Sequence, residues 1–279
     1  MKENREELKE KVLEIAIKAA VLAGEHALKL RESSDFKVSF KGTRDLVTDA
    51  DTECEKIIID LITENFPDHN ILSEESSPEL LEGLGSGPLW VIDPIDGTTN
   101  FAHGQAHVGV SIGFAIDGIR EVGVVYCPFL NELYTAKKGS GAFCNDKPIE
   151  VREVSVPEHA IITTGFPYQR TEITGVLKRV GSVVKKYRDL RRLGAASVDI
   201  CWVASGKLDG YFEDVCPWDV TAGLLIANEA GAYIGNYEEI NNPPLAWKDS
   251  EITPKEIDGT RIVVCSPGIA EDLVSTLNA

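Results

Sequence analysis

The string Trp90-Val91-Ile92-Asp93-Pro94-Ile95-Asp96-Gly97-Thr98-Thr99-Asn100-Phe101 starts as an apolar strand and ends as a turn with two carboxylates, a glycine and two hydroxyls. Asp93 and Asp96 at one strand mouth suit a hard cation such as Mg²⁺, which takes oxygen ligands and leaves positions for water and substrate phosphates. Gly97 has no Cβ and lets a ligand come close to the backbone. A helix starting near Thr98 to Asn100 adds free N–H groups, an anion site beside the cations. Cations and anion-binding amides together point to phosphate ester chemistry. Asp-Pro and Asp-Gly are also ordinary turn dipeptides, so the segment needs partners elsewhere.

Three further segments supply carboxylates. In Asp45-Leu46-Val47-Thr48-Asp49-Ala50-Asp51, Thr48 and Asp51 have the spacing of a capping box. In Ile71-Leu72-Ser73-Glu74-Glu75, an apolar pair runs straight into paired carboxylates at a strand end. In Trp218-Asp219-Val220-Thr221-Ala222-Gly223, Asp219 sits at the start of a helix, where N-capping is its structural role.

Together, and in this order, the four segments resemble the inositol monophosphatase-like, metal-dependent phosphatase family. The opening string matches that family's first signature, W-x-x-D-P-[IL]-D-G-T-x-N-[FY]. Asp45-Leu46-Val47-Thr48-x-x-Asp51 looks like its early motif, and Ser73-Glu74-Glu75 like its Gly-Glu-Glu element. Trp218-Asp219-x-x-Ala222-Gly223, with Glu229-Ala230-Gly231, looks like its second signature.

The resemblance implies an α/β (α+β layered) fold, an alternating αβαβα sandwich of the inositol monophosphatase and fructose-1,6-bisphosphatase type. It implies Mg²⁺ as cofactor. Glu74, Asp93 and the Ile95 carbonyl would hold a first ion, and Asp93, Asp96 and Asp219 a second. A weaker third ion would sit near Glu74 through waters. The catalytic set would be Glu74 with a dyad, Thr98 and Asp51, that orients a water and takes its proton. The Gly97 and Thr98 amides would hold the phosphate. Gly194, Ala195, Ala196 and Glu213 would face the substrate alcohol together with Asp96 and Asp219. Without the resemblance, Glu213 reads as an exposed acid at a strand end.

The implied activity is a phosphomonoesterase acting on inositol monophosphate. Other substrates of the family are fructose 1,6-bisphosphate, histidinol phosphate and adenosine 3′,5′-bisphosphate. A silent metal-binding or regulatory protein on the same fold is the alternative of a different class. A homodimer and Li⁺ inhibition are family expectations. Three departures stand out. Ser73 replaces the glycine before the Glu pair. Lys41 is the nearest match to a family lysine linked to the third ion. Only Asp214-Val215-Cys216-Pro217 separates Glu213 from Trp218, a short loop beside the alcohol.

The elements that must position these residues follow from periodicity. Leu8, Val12, Ile15, Ala19 and Leu22 recur at helical spacing, so residues 5–31 read as an amphipathic helix. Phe36 to Gly42 reads as a connector. A second helix spans Asp49 to Phe66, with Cys54, Ile57, Ile58, Leu61 and Ile62 on its apolar side. Strands follow at Leu89–Asp93, Val108–Ile116 and Ile119–Tyr126, with a hairpin at Asp117-Gly118, then at Leu133–Lys137 and Gly141–Cys144. Beyond a soft boundary near Glu150 to Pro157, strands (Ala160–Thr164, Leu190–Leu193, Leu208–Glu213, Arg261–Cys265) alternate with helices (Thr171–Lys186, Ala195–Ser205, Val220–Ala230, Ile269–Leu277). Such alternation argues layered α/β packing. The expectation is one domain, 1–279, softly divided at 150.

Composition limits the partners. The chain has 279 residues, 43% hydrophobic, and a formal charge of −17 from 28 Lys+Arg against 45 Asp+Glu. That field repels nucleic acid, so no nucleic-acid partner is expected. It also repels a phosphate substrate unless cations or a local basic patch receive it. No long apolar run suits a membrane span. The charged start, Met1 to Lys11, lacks a signal-peptide core, so a cytoplasmic location is expected. The 6 cysteines have no Cys-x-x-Cys spacing and are expected as reduced thiols. His103 and His107 have i, i+4 spacing but no neighbouring glutamate, and their loop-like setting gives them no metal role. Arg188, Arg191 and Arg192 form a basic cluster that either pairs with surface acids or receives a second phosphate or a subunit.

Overall fold

The computed structural model describes residues 2–33, 36–40, 46–76, 86–167, 173–237 and 261–279. In chain order its α-helices are α1 (Lys2–Ser33), α2 (Asp49–Asn65), α3 (Thr98–Ala102), α4 (Ile173–Lys186), α5 (Ala196–Ala204), α6 (Pro217–Glu229) and α7 (Ala270–Asn278). The strands are β1 (Val38–Phe40), β2 (Leu46–Thr48), β3 (Asn70–Ser73), β4 (Pro88–Asp96), β5 (Gly109–Ile116), β6 (Ile119–Cys127), β7 (Glu132–Lys137), β8 (Ala142–Cys144) and β9 (Lys147–Ile149). They continue with β10 (Ile161–Thr164), β11 (Asp189–Arg191), β12 (Gly210–Glu213), β13 (Tyr233–Asn236) and β14 (Ile262–Cys265).

Two larger sheets organise the molecule. The first runs β3-β4-β5-β6-β7-β8-β9, parallel only between β3 and β4. The second runs β11-β10-β12-β14-β13, parallel across its first three strands and antiparallel after them. The first sheet ends at Ile149 and the second begins at Ile161. Helices α1 and α2 cover one face of the first sheet. Helices α5 and α6 lie between the two sheets, and α4 and α7 cover the far face of the second. The layers therefore alternate αβαβα.

The buried residues explain the layers. On α1, Val12, Ala16, Ala19, Ala23 and Ala27 are fully buried, so small side chains at helical spacing bring the helix close to the sheet. Leu22 lies off that face and is exposed, contrary to the sequence pattern. On α2, Cys54, Ile58 and Ile62 are buried and Ile57 and Leu61 half-buried.

Helix α6 approaches the opposite face over a pair of glycines. Gly113 and Gly123 face each other across β5 and β6. A Cβ at Gly113 would stand 2.6 Å from the Thr221 methyl, and one at Gly123 would stand 2.6 Å from the Ala222 carbonyl oxygen. Any side chain there would lift α6 off the sheet.

Several local expectations need correction. The connector at Phe36 contains β1, which pairs with β2, so a two-stranded ribbon precedes α2. Helix α6 begins at Pro217 rather than Val220, because proline suits the first helical turn. Strands β9 and β13 were not legible from residue pattern. The Asp117-Gly118 hairpin is present, with positive φ at both residues. Among the described residues all six cysteines are free, and Cys216 is exposed.

Candidate metal centre

The site is built where β4 ends. In an unbroken strand, residues three apart point to opposite faces. Asp93 pairs with Ser111, but Asp96 pairs with Gly109, so β4 carries one extra residue between the aspartates. This bulge turns Asp96 to the side of Asp93. Pro94 stands within it and has no N–H to give the ladder. The Ile95 amide donates to Asp93 Oδ1 at 3.0 Å and closes the turn.

Asp219 arrives from the other half of the chain. Ser111, the neighbour of Asp93, donates its hydroxyl to the Trp218 carbonyl at 3.1 Å. The glycine pair under α6 and this bond bring Asp219 to β4. Its carboxylate also accepts from the Cys216 amide at 2.7 Å, so it caps α6 as well. Oxygens of Asp93, Asp96 and Asp219 all lie within 4.8 Å of one another.

Buried carboxylates this close disfavour their charged forms. Asp93 is held well above the usual carboxylate range, by burial first and then by Glu74, Asp96 and Asp219. Asp219 is raised likewise, by burial and then by Asp96 and Glu74. Asp96 is raised to about 6, mainly by burial, while its bonds to Ser197 act in the opposite direction. Its Oδ2 accepts from the Ser197 amide at 2.7 Å and the Ser197 hydroxyl at 2.5 Å, and its Oδ1 from the Ala196 amide at 3.2 Å. The N-terminus of α5 thus holds Asp96, while Asp51 and Asp219 lie in the first turns of α2 and α6. Helix N-termini carry partial positive charge and offset part of the repulsion.

Glu74 follows β3, and its amide donates to the Ile92 carbonyl at 3.2 Å. It stands outside the three-oxygen triangle, yet its charge is the largest charge effect on Asp93. Asp51 accepts from the Thr48 amide at 2.7 Å, as the capping box predicts, and also from the Thr48 hydroxyl at 2.6 Å. Its other oxygen, Oδ1, accepts from the Thr98 hydroxyl at 2.9 Å, which also reaches the Ile95 carbonyl at 3.2 Å. The Thr98–Asp51 pair is buried beside the triangle.

Gly97 precedes α3 with φ +94, a conformation glycine adopts freely. A Cβ there would stand 3.0 Å from the His107 carbonyl oxygen and 3.2 Å from the Ala195 methyl. Gly97 therefore lies against Gly194 and Ala195. Asn100 holds that contact by donating to the His107 carbonyl at 2.7 Å and the Leu193 carbonyl at 2.8 Å.

Glu213 ends β12. It is half-buried rather than exposed, accepts from the Tyr211 hydroxyl at 3.0 Å, and is raised to about 8 by burial. Gly165 leaves the space its carboxylate occupies.

Lys41 and Asp45 lie outside the described residues. Two of the three arginines, Arg191 and Arg192, have different surroundings. Arg191 pairs with Asp189 at 2.5 Å, while Arg192 lies beside Gly194 and 6.0 Å from the Phe166 ring centre. His103 is exposed after α3, whereas His107 is buried and bonded to Asp199 at 2.8 Å, so the two share no site.

Sequence reasoning missed Glu55, Ser197 and Asn100. Glu55 left a signal, a charge on the apolar side of α2. Asn100 lay within the opening string without a role. Ser197 left none, because its partner Asp96 is 101 positions away.

The inositol monophosphatase family matches residues 8–273. The chain belongs to that family. It is 43% identical over 229 residues to a protein named Nus factor SuhB from Pasteurella multocida, covering 81% of this chain and 85% of that one. The structure of the extragenic suppressor protein suhB from Bartonella henselae matches with a TM-score of 0.84 and 32% identity, covering 96% and 98% of the two chains. The inositol monophosphatase of Anabaena matches with a TM-score of 0.80 and 33% identity, covering 96% of each. The family is one of metal-dependent phosphatases, and the layered fold is theirs. Among the described residues no helix is long and apolar enough to cross a membrane.

Proposed function

We propose that this protein is a Mg²⁺-dependent phosphomonoesterase that hydrolyses inositol monophosphate to inositol and phosphate. The supporting observation is the Asp93–Asp96–Asp219 triangle with the Thr98–Asp51 pair beside it. An all-oxygen donor set suits Mg²⁺, and a cation relieves the mutual repulsion that raises Asp93 and Asp219. Glu74, Asp93 and the Ile95 carbonyl would hold one ion, and Asp93, Asp96 and Asp219 a second. Bound there, Mg²⁺ would supply the positive charge that receives a phosphate in an acidic protein, acidify a water and stabilise the leaving oxygen.

The chain's own groups do the rest. Thr98, donating to Asp51, orients the attacking water, and Asp51 receives the proton. The Gly97 and Thr98 amides bind the phosphate. Gly194, Ala195 and Ala196 shape the space for the alcohol. Glu213, holding its proton at neutral pH, offers the alcohol a hydrogen bond.

The test is kcat/KM with Mg²⁺ for inositol monophosphate, fructose 1,6-bisphosphate, histidinol phosphate and adenosine 3′,5′-bisphosphate. The first is expected to lead. A strong preference for fructose 1,6-bisphosphate overturns the substrate, and no turnover of any ester overturns the enzyme. A homodimer, Li⁺ inhibition and a cytoplasmic location belong to the same proposal.

The name Nus factor, carried by the Pasteurella relative, favours a second role for this chain, as a Nus factor. With a formal charge of −17, such a role would run through protein contacts rather than direct nucleic-acid binding. A pull-down with purified binding partners and an Asp93→Asn variant separates the two roles, since a contact role survives loss of turnover.

A further inference from the structure

Glu55 lies on α2 among Cys54, Ile58 and Ile62, and it is buried. A carboxylate on the apolar side of a helix is costly unless its oxygens are satisfied. Here one oxygen, Oε1, accepts three hydrogen bonds. The donors are the Ser73 hydroxyl, the Glu75 amide at 3.2 Å and the Ser76 amide at 3.1 Å. All three belong to the turn that follows β3, and Glu74 stands among them. The Glu74 amide is tied in turn to the Ile92 carbonyl, one residue before Asp93. Ser73 is also where this chain departs from the family's glycine, and the departure adds a donor to Glu55.

From this geometry we infer that Glu55 is a positioning residue for the metal centre. With the Ser73 hydroxyl it fixes the 73–76 turn, so that the Glu74 carboxylate faces Asp93. The inference rests on the proposed role of Glu74 and Asp93 as metal ligands. Glu55 itself acts only through the turn. Partners of this kind commonly change metal affinity about 10- to 100-fold when removed. The serine hydroxyl and the buried carboxylate form one device, because the hydroxyl has Glu55 to donate to and Glu55 gains a third donor from it.

Mg²⁺ binding to the full chain by calorimetry, with melting curves alongside, tests it. Glu55→Leu is expected to weaken Mg²⁺ binding about 10-fold or more. Ser73→Gly should weaken it about threefold, the loss of one donor. Glu55→Gln keeps an acceptor oxygen and should restore most of the affinity. In turnover assays the Mg²⁺ requirement should rise while kcat at saturating Mg²⁺ stays near the parent value. Asp93→Asn is the benchmark for the centre itself. If the parent binds Mg²⁺, Asp93→Asn does not, and both Glu55→Leu and Ser73→Gly bind like the parent, the positioning role is wrong while the metal centre stands. If the parent takes no Mg²⁺, the metal reading fails and the inference falls with it. Should Glu55→Leu not fold, Ser73→Gly decides alone, and unchanged affinity there overturns the role.

Discussion

The two ends of the site are built on different principles. At the metal end, Asp93, Asp96 and Asp219 are pressed together with Glu74 nearby, and each is raised, chiefly by burial, with the Ser197 hydroxyl and amide opposing the rise at Asp96. At the proposed alcohol end the carboxyl is Glu213, and burial is the chief cause of its shift to about 8. The metal end is strained without a cation. The alcohol end is settled as it stands. Substitutions at the first should therefore move function and stability in opposite directions, whereas those at the second should move selectivity.

The strongest way to break this contrast is Asp93→Asn. Metal catalysis supplies several kcal/mol, and each ~1.4 kcal/mol is tenfold, so turnover should fall about a thousandfold or more. The same change should raise the melting temperature of the metal-free protein, because a buried repelling charge is gone. A lower melting temperature without Mg²⁺ would contradict the strain argument.

Thr98→Ala comes next. It removes the group that orients the water while leaving the carboxylates, so kcat should drop about a hundredfold or more. Mg²⁺ affinity by calorimetry should hardly move. An equal loss of affinity would place Thr98 on the ion rather than on the water.

Glu213→Leu, which removes the hydrogen-bonding group, sharpens the other end. KM for inositol monophosphate should rise about tenfold, the worth of one good hydrogen bond, with little change in kcat. A small ester such as p-nitrophenyl phosphate should show no such penalty. The same residue sets a pH effect. Its carboxyl titrates at about 8 when folded against 4.5 when unfolded, so the folded state holds the extra proton between those values. Its contribution to stability is full below about 4.5 and is lost as pH rises through about 8. Melting curves across that window should slope downward with pH, and the slope should be shallower in Glu213→Gln.

The smallest effect is expected at the junction of the two ends. Gly97→Ala forces φ +94 on a residue with a Cβ and presses it to 3.0 Å from the His107 carbonyl oxygen. A cost of ~1–3 kcal/mol is expected, read as a few degrees in melting temperature.

Much of the metal end was legible because it is local. Asp93, Pro94, Asp96, Gly97 and Thr98 are consecutive or nearly so, and Thr48 with Asp51 follows a short capping rule that the structure keeps. The proposed alcohol end rests on family resemblance alone, since Gly194, Ala195 and Ala196 carry no functional side chain. Without the resemblance Glu213 reads as exposed, because a strand-end acid has no local mark of burial, whereas the structure half-buries it. Leu22 misread as core because helical spacing alone does not say which flank of a face meets the sheet, and the small alanines decided it. Strand β13 takes its partner β14 from a distant segment, whereas β9 is only three residues long and folds back onto β8 through Asn145 and Asp146, whose turn has no glycine to mark it.

The sequence by itself determined which oxygens are available, the two strand-end aspartates, the capping boxes and the acidic field that a phosphate must overcome. It also determined the alternation of elements, because hydrophobic period depends on neighbours a few residues away. Only the tertiary structure decided that these oxygens meet. The bulge at Pro94 puts Asp93 and Asp96 on one side. The facing glycines 113 and 123 let α6 descend until Ser111 reaches Trp218 and Asp219 reaches Asp93. Ser197 bonds to Asp96 from 101 positions away, and Glu55 accepts from Ser73, 18 positions on. Such contacts depend on close approach of distant backbone, and no local pattern of side chains encodes that distance.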